Sequence, residues 1–347
     1  MHKELNMEQI PLVSIGLPTC GRADLLKQAL YSLVAQDYPK IEIIISDNGS
    51  TDSTQTLCRD WVEKYSFINY YRLQTQVRAT QNFATVLLRS SGDFFMWASD
   101  DDLWDPSFIS TIMKRLLSDE RLVLVAAEAQ YMLIDNTKLP FFREGEAFYN
   151  EIFEPCIDRL LQIAKHNYGN LIYGIYRKKI LLDQKSGTVF DSVTSLNEIP
   201  VFIQVAAKGA IKVIDKVLFY KTAPLHVYFQ AAREYGFRPT LENEVKNSEK
   251  FDSDSDRKTM LLYRALIPAR WLSDYAIYTY QNFKYHFAAL VDIMRALKKI
   301  SLAFHEKVVL IMVFFTTITK HFLKLNFIWK IEDIIKLIKN KRKSIKL

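Results

Sequence analysis

Through the first 130 residues, short apolar runs end in polar loops and hand over to helical patterns, and this alternation restricts what the chain can fold into. "LVSIGL" (12–17) stops at "PTCGR", "IEIIIS" (41–46) stops at "DNGSTD", and "DFFMWA" (93–98) stops at three consecutive aspartates. A strand apolar at nearly every position suits the middle of a parallel sheet, where helices cover both faces. The intervening segments supply those helices. Residues 23–35 place Leu25, Leu26, Ala29, Leu30, Leu33 and Val34 at helical spacing; 79–90 and 107–118 read likewise. "FINYYRL" (67–73) is a third strand and "RLVLVAAEAQYML" (121–133) opens with a fifth. Ser50 or Thr51 is placed to cap the helix that carries Leu57, Trp61, Val62 and Tyr65.

Strand–helix alternation predicts an open α/β sheet. Its right-handed crossovers gather the loops after successive strands on one edge, and ligands bind at that carboxyl edge. The three loops "PTCGR", "SDNGSTD" and "SDDD" therefore converge on a candidate site. Past Asp135 the alternation weakens. "EIPVFIQVAAKG" (198–209) reads as a helix ending at Gly209, and "AIKVIDKVLFYKT" as a hairpin-like pair of strands. Residues 226–258 are polar and poorly periodic, a long loop or mobile segment. Residues 259–300 are helical in pattern and aromatic-rich.

Composition narrows the class of function. Of 347 residues, 49% are apolar and 24% charged, an ordinary globular balance. Cys20, Cys58 and Cys156 form no CxxC pair, which argues against a disulfide framework or a zinc site and fits a reducing compartment. The N-terminal stretch displays no secretory pattern. From Lys320 to Leu347, nine Lys/Arg stand against Glu332 and Asp333, which accounts for the whole net charge of +7. The body is thus neutral, and charge lends no support to nucleic-acid binding.

Three adjacent aspartates at a strand end repel one another, and Mg²⁺ or Mn²⁺ relieves such repulsion through hard carboxylate oxygens. Mg²⁺ takes one or two protein carboxylates and fills its shell with water and substrate phosphates. Asp105-Pro106 reads instead as the start of the next helix. Asp47, set at the cleft edge by its strand, offers a carboxylate to a base N–H or a ribose hydroxyl.

Taken in order, "PLVSIGLPTCGRADLLKQAL", "IEIIISDNGSTDST" and "QNFATVLLRSSGDFFMWASDDDLWDP" resemble the nucleotide-sugar glycosyltransferases of family 2. The resemblance is strong over about 10–135 and weaker over 136–222. It implies a GT-A fold, a Rossmann-like open mixed sheet flanked by helices, here with a C-terminal helical extension. The catalytic domain would span 8–225, with a nucleotide-sugar half (10–135) and an acceptor half (136–225); the helical extension would be 259–347. It places Pro18 and Thr19 in the loop lining the nucleotide, and Asp47 against the base. Arg78 would lie near the diphosphate and Asp100 toward ribose and sugar. Asp101 becomes the metal ligand, with Asp102 as a further or supporting ligand and His226 as a weaker candidate near the metal. Ser99 stands where the family's Asp-x-Asp motif has its first aspartate, and Cys20-Gly21 replaces the usual Tyr-Asn. The implied cofactor is Mg²⁺ or Mn²⁺.

An inverting transfer needs a general base for the acceptor hydroxyl, a task suited to a carboxylate. Counting back from Lys208-Gly209 in the way the resemblance implies, Glu198 is the candidate base and Asp191 the runner-up. The expected function is transfer of a sugar from a nucleotide diphosphate sugar to a saccharide or lipid-linked acceptor. The rivals are a metal-dependent nucleotidyltransferase of sugar phosphates, which should carry a Gly-rich first loop, and a silent membrane-bound scaffold. "VVLIMVFF" (308–315) is apolar all round, yet too short for a span of about 20 residues. Phe322, Leu325, Ile328, Ile331, Ile335 and Ile338 then recur at helical spacing among lysines. Residues 308–347 thus read as a basic amphipathic element for an anionic membrane surface, locating the protein at the cytoplasmic face of the cell membrane.

Overall fold

The computed structural model describes residues 10–133, 138, 156–166, 169–183, 187–190, 193, 198–222, 290–304 and 306–314. Asp191, His226, the 226–258 segment and the tail after 314 lie outside the described residues.

The chain runs β1 (Val13–Thr19), α1 (Ala23–Val34), β2 (Ile41–Asp47), α2 (Thr54–Lys64), β3 (Ile68–Arg72), α3 (Ala79–Leu88) and β4 (Phe94–Trp97). It continues through β5 (Leu103–Trp104), α4 (Phe108–Leu117), β6 (Leu122–Met132), α5 (Cys156–Lys165) and β7 (Ile175–Arg177). A small ribbon, β8 (Leu182–Asp183) with β9 (Gly187–Thr188), precedes α6 (Ile199–Lys208) and β10 (Ala210–Thr222). Eight strands make one sheet in the order β3-β2-β1-β4-β7-β6-β10-β5. Strands β3, β2, β1 and β4 are mutually parallel, β7 runs antiparallel between β4 and β6, and β10 is parallel to β6.

Strand alternation sorts the core into two layers. Ile43, Ile45, Phe94 and Met96 join Leu26, Leu30 and Leu33 of α1 and Ile109, Ile112 and Leu116 of α4 on one face. Ile44, Phe95 and Trp97 join Val86 and Leu87 of α3, with α5 and α6, on the other. Burial on both faces is the reason these strands are apolar throughout. Residues 290–298 and 306–314 are helical, and Ile293, Ala296, Leu297, Leu310 and Phe314 complete the second layer.

Gly16 lets the second layer close on β1. A Cβ there would sit 2.5 Å from Phe95 Cζ and 2.7 Å from Val86 Cγ2, well inside carbon–carbon contact.

Two expectations need correction. Residues 210–222 form one continuous strand beside β6, not a hairpin. Asp215 and Lys216 are exposed and sit where the register shifts between Ile214 and Val217, so a bulge absorbs the polar pair that reads as a turn. Helix α2 begins at Thr54 and not at Ser50 or Thr51. The Ser50 N–H donates to Asp47 Oδ1 at 2.7 Å and its hydroxyl accepts from Gly21 N–H at 2.8 Å, which ties Ser50 to the loops instead.

Candidate active site

The three expected loops meet at the carboxyl edge. Strands β1 and β2 end in register, Thr19 opposite Asp47, while β4 pairs with β1 only as far as Gly16–Trp97. Pro18, which has no N–H to give, is buried in the stretch of β1 beyond that pairing, where the sheet opens.

Loop one is laced to loop two. Asn48 N–H donates to Thr19 O at 2.9 Å, and Ala23 N–H donates to Asp52 Oδ2 at 3.0 Å. Asp52 Oδ1 also accepts from Thr54 N–H at 3.1 Å, so one carboxylate serves the first turns of α1 and α2. Gly49 turns the loop at φ +73°, a conformation that favours glycine. Asp47 is fully enclosed: besides the Ser50 N–H, its Oδ2 accepts from Tyr70 Oη at 2.7 Å. Both carboxylate oxygens thus hold the loop. Asn48 faces the next segment, its amide donating to Val77 O at 2.9 Å and accepting from Val77 N–H at 2.8 Å. Arg78 follows, exposed at the start of α3 with its N–H on Gln81 Oε1 at 3.1 Å.

The aspartate run divides into three tasks. Asp100 is buried and turned toward loop one, accepting Thr19 Oγ1 at 2.7 Å. Burial pushes its carboxyl above the usual carboxylate range, with Thr19 and Arg22 pulling it back. Asp101, 28% exposed, receives Arg22 Nη1 on Oδ2 at 2.9 Å, and the Ser99 hydroxyl donates to its Oδ1. The same Arg22 nitrogen lies 3.2 Å from Asp100 Oδ1. Asp102 points the other way, into the protein, where Oδ1 accepts Thr222 N–H from β10 at 2.8 Å. Its burial, with Asp101 alongside, pushes its carboxyl up to about 8.

Glu198 stands immediately before α6 and joins this group through two residues that the sequence reading missed. Tyr173 feels the charges of Asp102, Asp101 and Glu198 and hydrogen-bonds the Ser99 side chain; burial and those charges keep its hydroxyl neutral. Lys221, near the end of β10, acts on both Asp102 and Glu198 and donates to Asn170 Oδ1 at 3.0 Å. Burial raises the Glu198 carboxyl above its ordinary value, with Lys221 opposing. A base poised upward in this way takes protons more readily than a surface glutamate. "KVLFYKT" carries no motif, so Lys221 has a sequence signal only once β10 is seen to end beside β6 and β5.

The donor set can be tested for a hard divalent cation. Asp100 and Asp101 converge on one positive charge, the Arg22 guanidinium, so their oxygens already face a common cation position. Among the described residues no group of three or more His, Cys, Asp or Glu side chains is arranged to hold a metal. Two carboxylates and no third protein ligand fit a cation that arrives with diphosphate oxygens and water around it.

Residues 14–154 match the family model described as glycosyl transferase family 2. Residues 14–154 are a family 2 glycosyl transferase domain. It is 31% identical over 181 residues to an uncharacterized glycosyltransferase of Rickettsia typhi, covering 51% of this chain and 54% of that protein. It is 35% identical over 162 residues to abequosyltransferase RfbV of Salmonella typhimurium, covering 44% and 47%. The chain thus spans about half the length of these relatives. The crystal structure of Staphylococcus aureus TarS 1–349 in complex with UDP-GlcNAc superposes with a TM-score of 0.51 at 15% identity, covering 89% of this chain and 91% of that one. At that identity the likeness speaks for fold, and the fold of the glycosyltransferase domain is GT-A.

Proposed function

We propose that this protein transfers a sugar from a nucleotide diphosphate sugar to a saccharide or lipid-linked acceptor with inversion, in the assembly of a surface glycan. The observation that carries this reading is that Asp101, Asp102 and Glu198 all act on the buried Tyr173 hydroxyl, with Lys221 acting on Asp102 and Glu198, beside the Asp100–Asp101 pair that Arg22 bridges at the carboxyl edge of a family 2 domain. Loops one and two, with Pro18, Thr19 and Asp47, frame the nucleotide; Asp47 acts by holding the loop shape. Asp100 and Asp101 hold Mg²⁺ or Mn²⁺, which when bound neutralises the leaving diphosphate. Glu198 takes the acceptor hydroxyl's proton as the new C–O bond forms. Two relatives support a saccharide or lipid-linked acceptor by name: the abequosyltransferase above, and a GalNAc(5)-diNAcBac-PP-undecaprenol beta-1,3-glucosyltransferase of Campylobacter jejuni, 31% identical over 107 residues.

Peripheral contact with an anionic membrane, at its cytoplasmic face, belongs to the same reading. Among the described residues no helix is long and apolar enough to cross a membrane. In the 306–314 helix Leu310 and Phe314 are buried, while Val308, Val309 and Met312 are exposed, with Phe304 83% exposed just before them. A helix apolar on two opposed sides, followed in sequence by the basic tail, suits a lipid surface.

The test is donor binding and turnover with UDP-, GDP- and dTDP-sugars, with and without Mn²⁺, on wild type and Asp101→Asn. One donor class should bind, and the variant should lose transfer and donor hydrolysis while melting like the wild type. Full activity in Asp101→Asn, or turnover of a nucleoside triphosphate with a sugar phosphate to release pyrophosphate, would overturn it.

A further inference from the structure

The guanidinium of Arg22 occupies a position with two demands on it. Its Nη1 lies 2.9 Å from Asp101 Oδ2 and 3.2 Å from Asp100 Oδ1, between the carboxylates that face the cation position. Neither aspartate is free to turn away from the other. Asp100 is buried and pinned by Thr19 Oγ1, and Asp101 is held by the Ser99 hydroxyl. Two carboxylates so held repel unless a positive charge stands between them.

The Arg22 backbone is as fixed as its side chain is accessible. The next residue's N–H is bound to Asp52 Oδ2, and Arg22 O accepts Leu26 N–H at 2.9 Å in the first turn of α1. The Arg22 side chain, by contrast, is 51% exposed. It can leave the aspartates by rotation alone, and a half-exposed ion pair gives way easily. Its planar fork suits the oxygens of a phosphate as well as those of a carboxylate.

We propose that Arg22 is a built-in counter-ion that competes with the divalent cation for Asp100 and Asp101, so that the cation binds tightly only together with a nucleotide diphosphate. A bare cation must displace a guanidinium that already offsets one of the pair's two negative charges. A nucleotide diphosphate reverses that balance, because its oxygens complete the cation's shell and give the released guanidinium a new anionic partner. The site thereby keeps a resident counter-charge and stays closed to stray cations until the donor arrives. This inference rests on the nucleotide-sugar reading of the site.

The experiment measures Mn²⁺ binding through the electron paramagnetic resonance signal of the free ion, on the full chain, with and without UDP. Wild type should bind Mn²⁺ weakly alone and much more tightly with UDP. Arg22→Ala should bind Mn²⁺ alone about tenfold more tightly than wild type, with the gain from UDP reduced by a similar factor. Arg22→Lys, which keeps the charge, should stay close to wild type, and Arg22→Gln should follow Arg22→Ala with a side chain of similar length. Thermal melts of each variant show that the fold is retained. Equal Mn²⁺ affinity in wild type, Arg22→Ala and Arg22→Gln without UDP, with UDP still promoting binding, overturns the counter-ion role and leaves the site reading standing. Failure of every protein to bind either Mn²⁺ or UDP overturns both.

Discussion

Thr19 Oγ1 donates to Asp100 Oδ2 at 2.7 Å, joining residues 81 positions apart at the edge where β1 and β4 diverge. The bond fixes the direction of the first aspartate in the run, and through it the spacing between the nucleotide loop and the cation position. Thr19→Val keeps the shape and removes the donor, leaving a buried carboxylate one hydrogen bond short. It should cost about 1–3 kcal/mol of stability and lower turnover more than Thr19→Ser, which keeps the hydroxyl. Thermal unfolding and steady-state kinetics on the two variants check this.

Glu198 is expected to set the acid limb of the pH–rate profile. Burial raises its carboxyl in the folded protein, so the ionised form needed for proton abstraction appears only above the ordinary carboxylate range. The acid limb should therefore lie above about pH 4.3 and vanish in Glu198→Gln along with most of the turnover. Lys221 opposes the upward shift, so Lys221→Met should move the limb to higher pH. The stability sign is opposite to that of a salt-bridged carboxylate. Between the ordinary and the raised value the folded state binds more protons than the unfolded state, so stability falls as pH rises through that window. Glu198→Gln should lose this dependence, as melts across the window would reveal.

Gly16→Ala should destabilise without touching the site. The added Cβ meets Phe95 Cζ at 2.5 Å and Val86 Cγ2 at 2.7 Å, in the layer between β1 and α3. Overpacking of this kind costs about 1–3 kcal/mol, and chemical denaturation should report it as a lowered midpoint with an unchanged slope.

Val309→Ser with Met312→Ser should weaken membrane contact and little else. Both residues are exposed, Met312 at 62%, so each surface change should alter stability by no more than about 0.5 kcal/mol. Co-sedimentation with vesicles containing anionic lipid should fall in the double variant, and unchanged binding would remove this helix face from the contact.

Most of the sheet is legible in the order of residues. The runs at 12–17, 41–46, 93–98 and 121–133 become strands because burial on both faces leaves each a largely continuous apolar signature. The run at 67–73, the edge strand with Ile68 alone buried, reads from its β-favouring Ile68, Tyr70 and Tyr71. The failures share one cause, which is that a local pattern does not say what an element is paired with or packed against. Asp215-Lys216 looks like a turn and is a bulge on an unbroken strand. Leu103-Trp104 is too short to read as a strand and pairs antiparallel with Phe219 and Tyr220. Helix α6 is legible as a helix ending at Gly209, yet that every residue from Ile199 to Ala206 is buried is decided by what packs around it.

The candidate site divides along the same line. Residue type and position after a strand suffice to single out Asp47 and the Asp100–Asp102 run, because strand ends fix where such side chains start. Where they point is a tertiary matter. Asp100 turns to Thr19, Asp101 to Arg22, and Asp102 inward to Thr222. Arg22, Tyr173 and Lys221 come from three unrelated segments, and no local pattern links them. Which strands form, where their loops open and which carboxylates stand there follow from local periodicity and burial, so the amino-acid order is enough to settle them. Which cation faces which carboxylate, and how Glu198 joins them, is settled by the folded chain alone. Those relationships depend on long-range pairing that brings β10 and the 169–173 turn to the edge of β4.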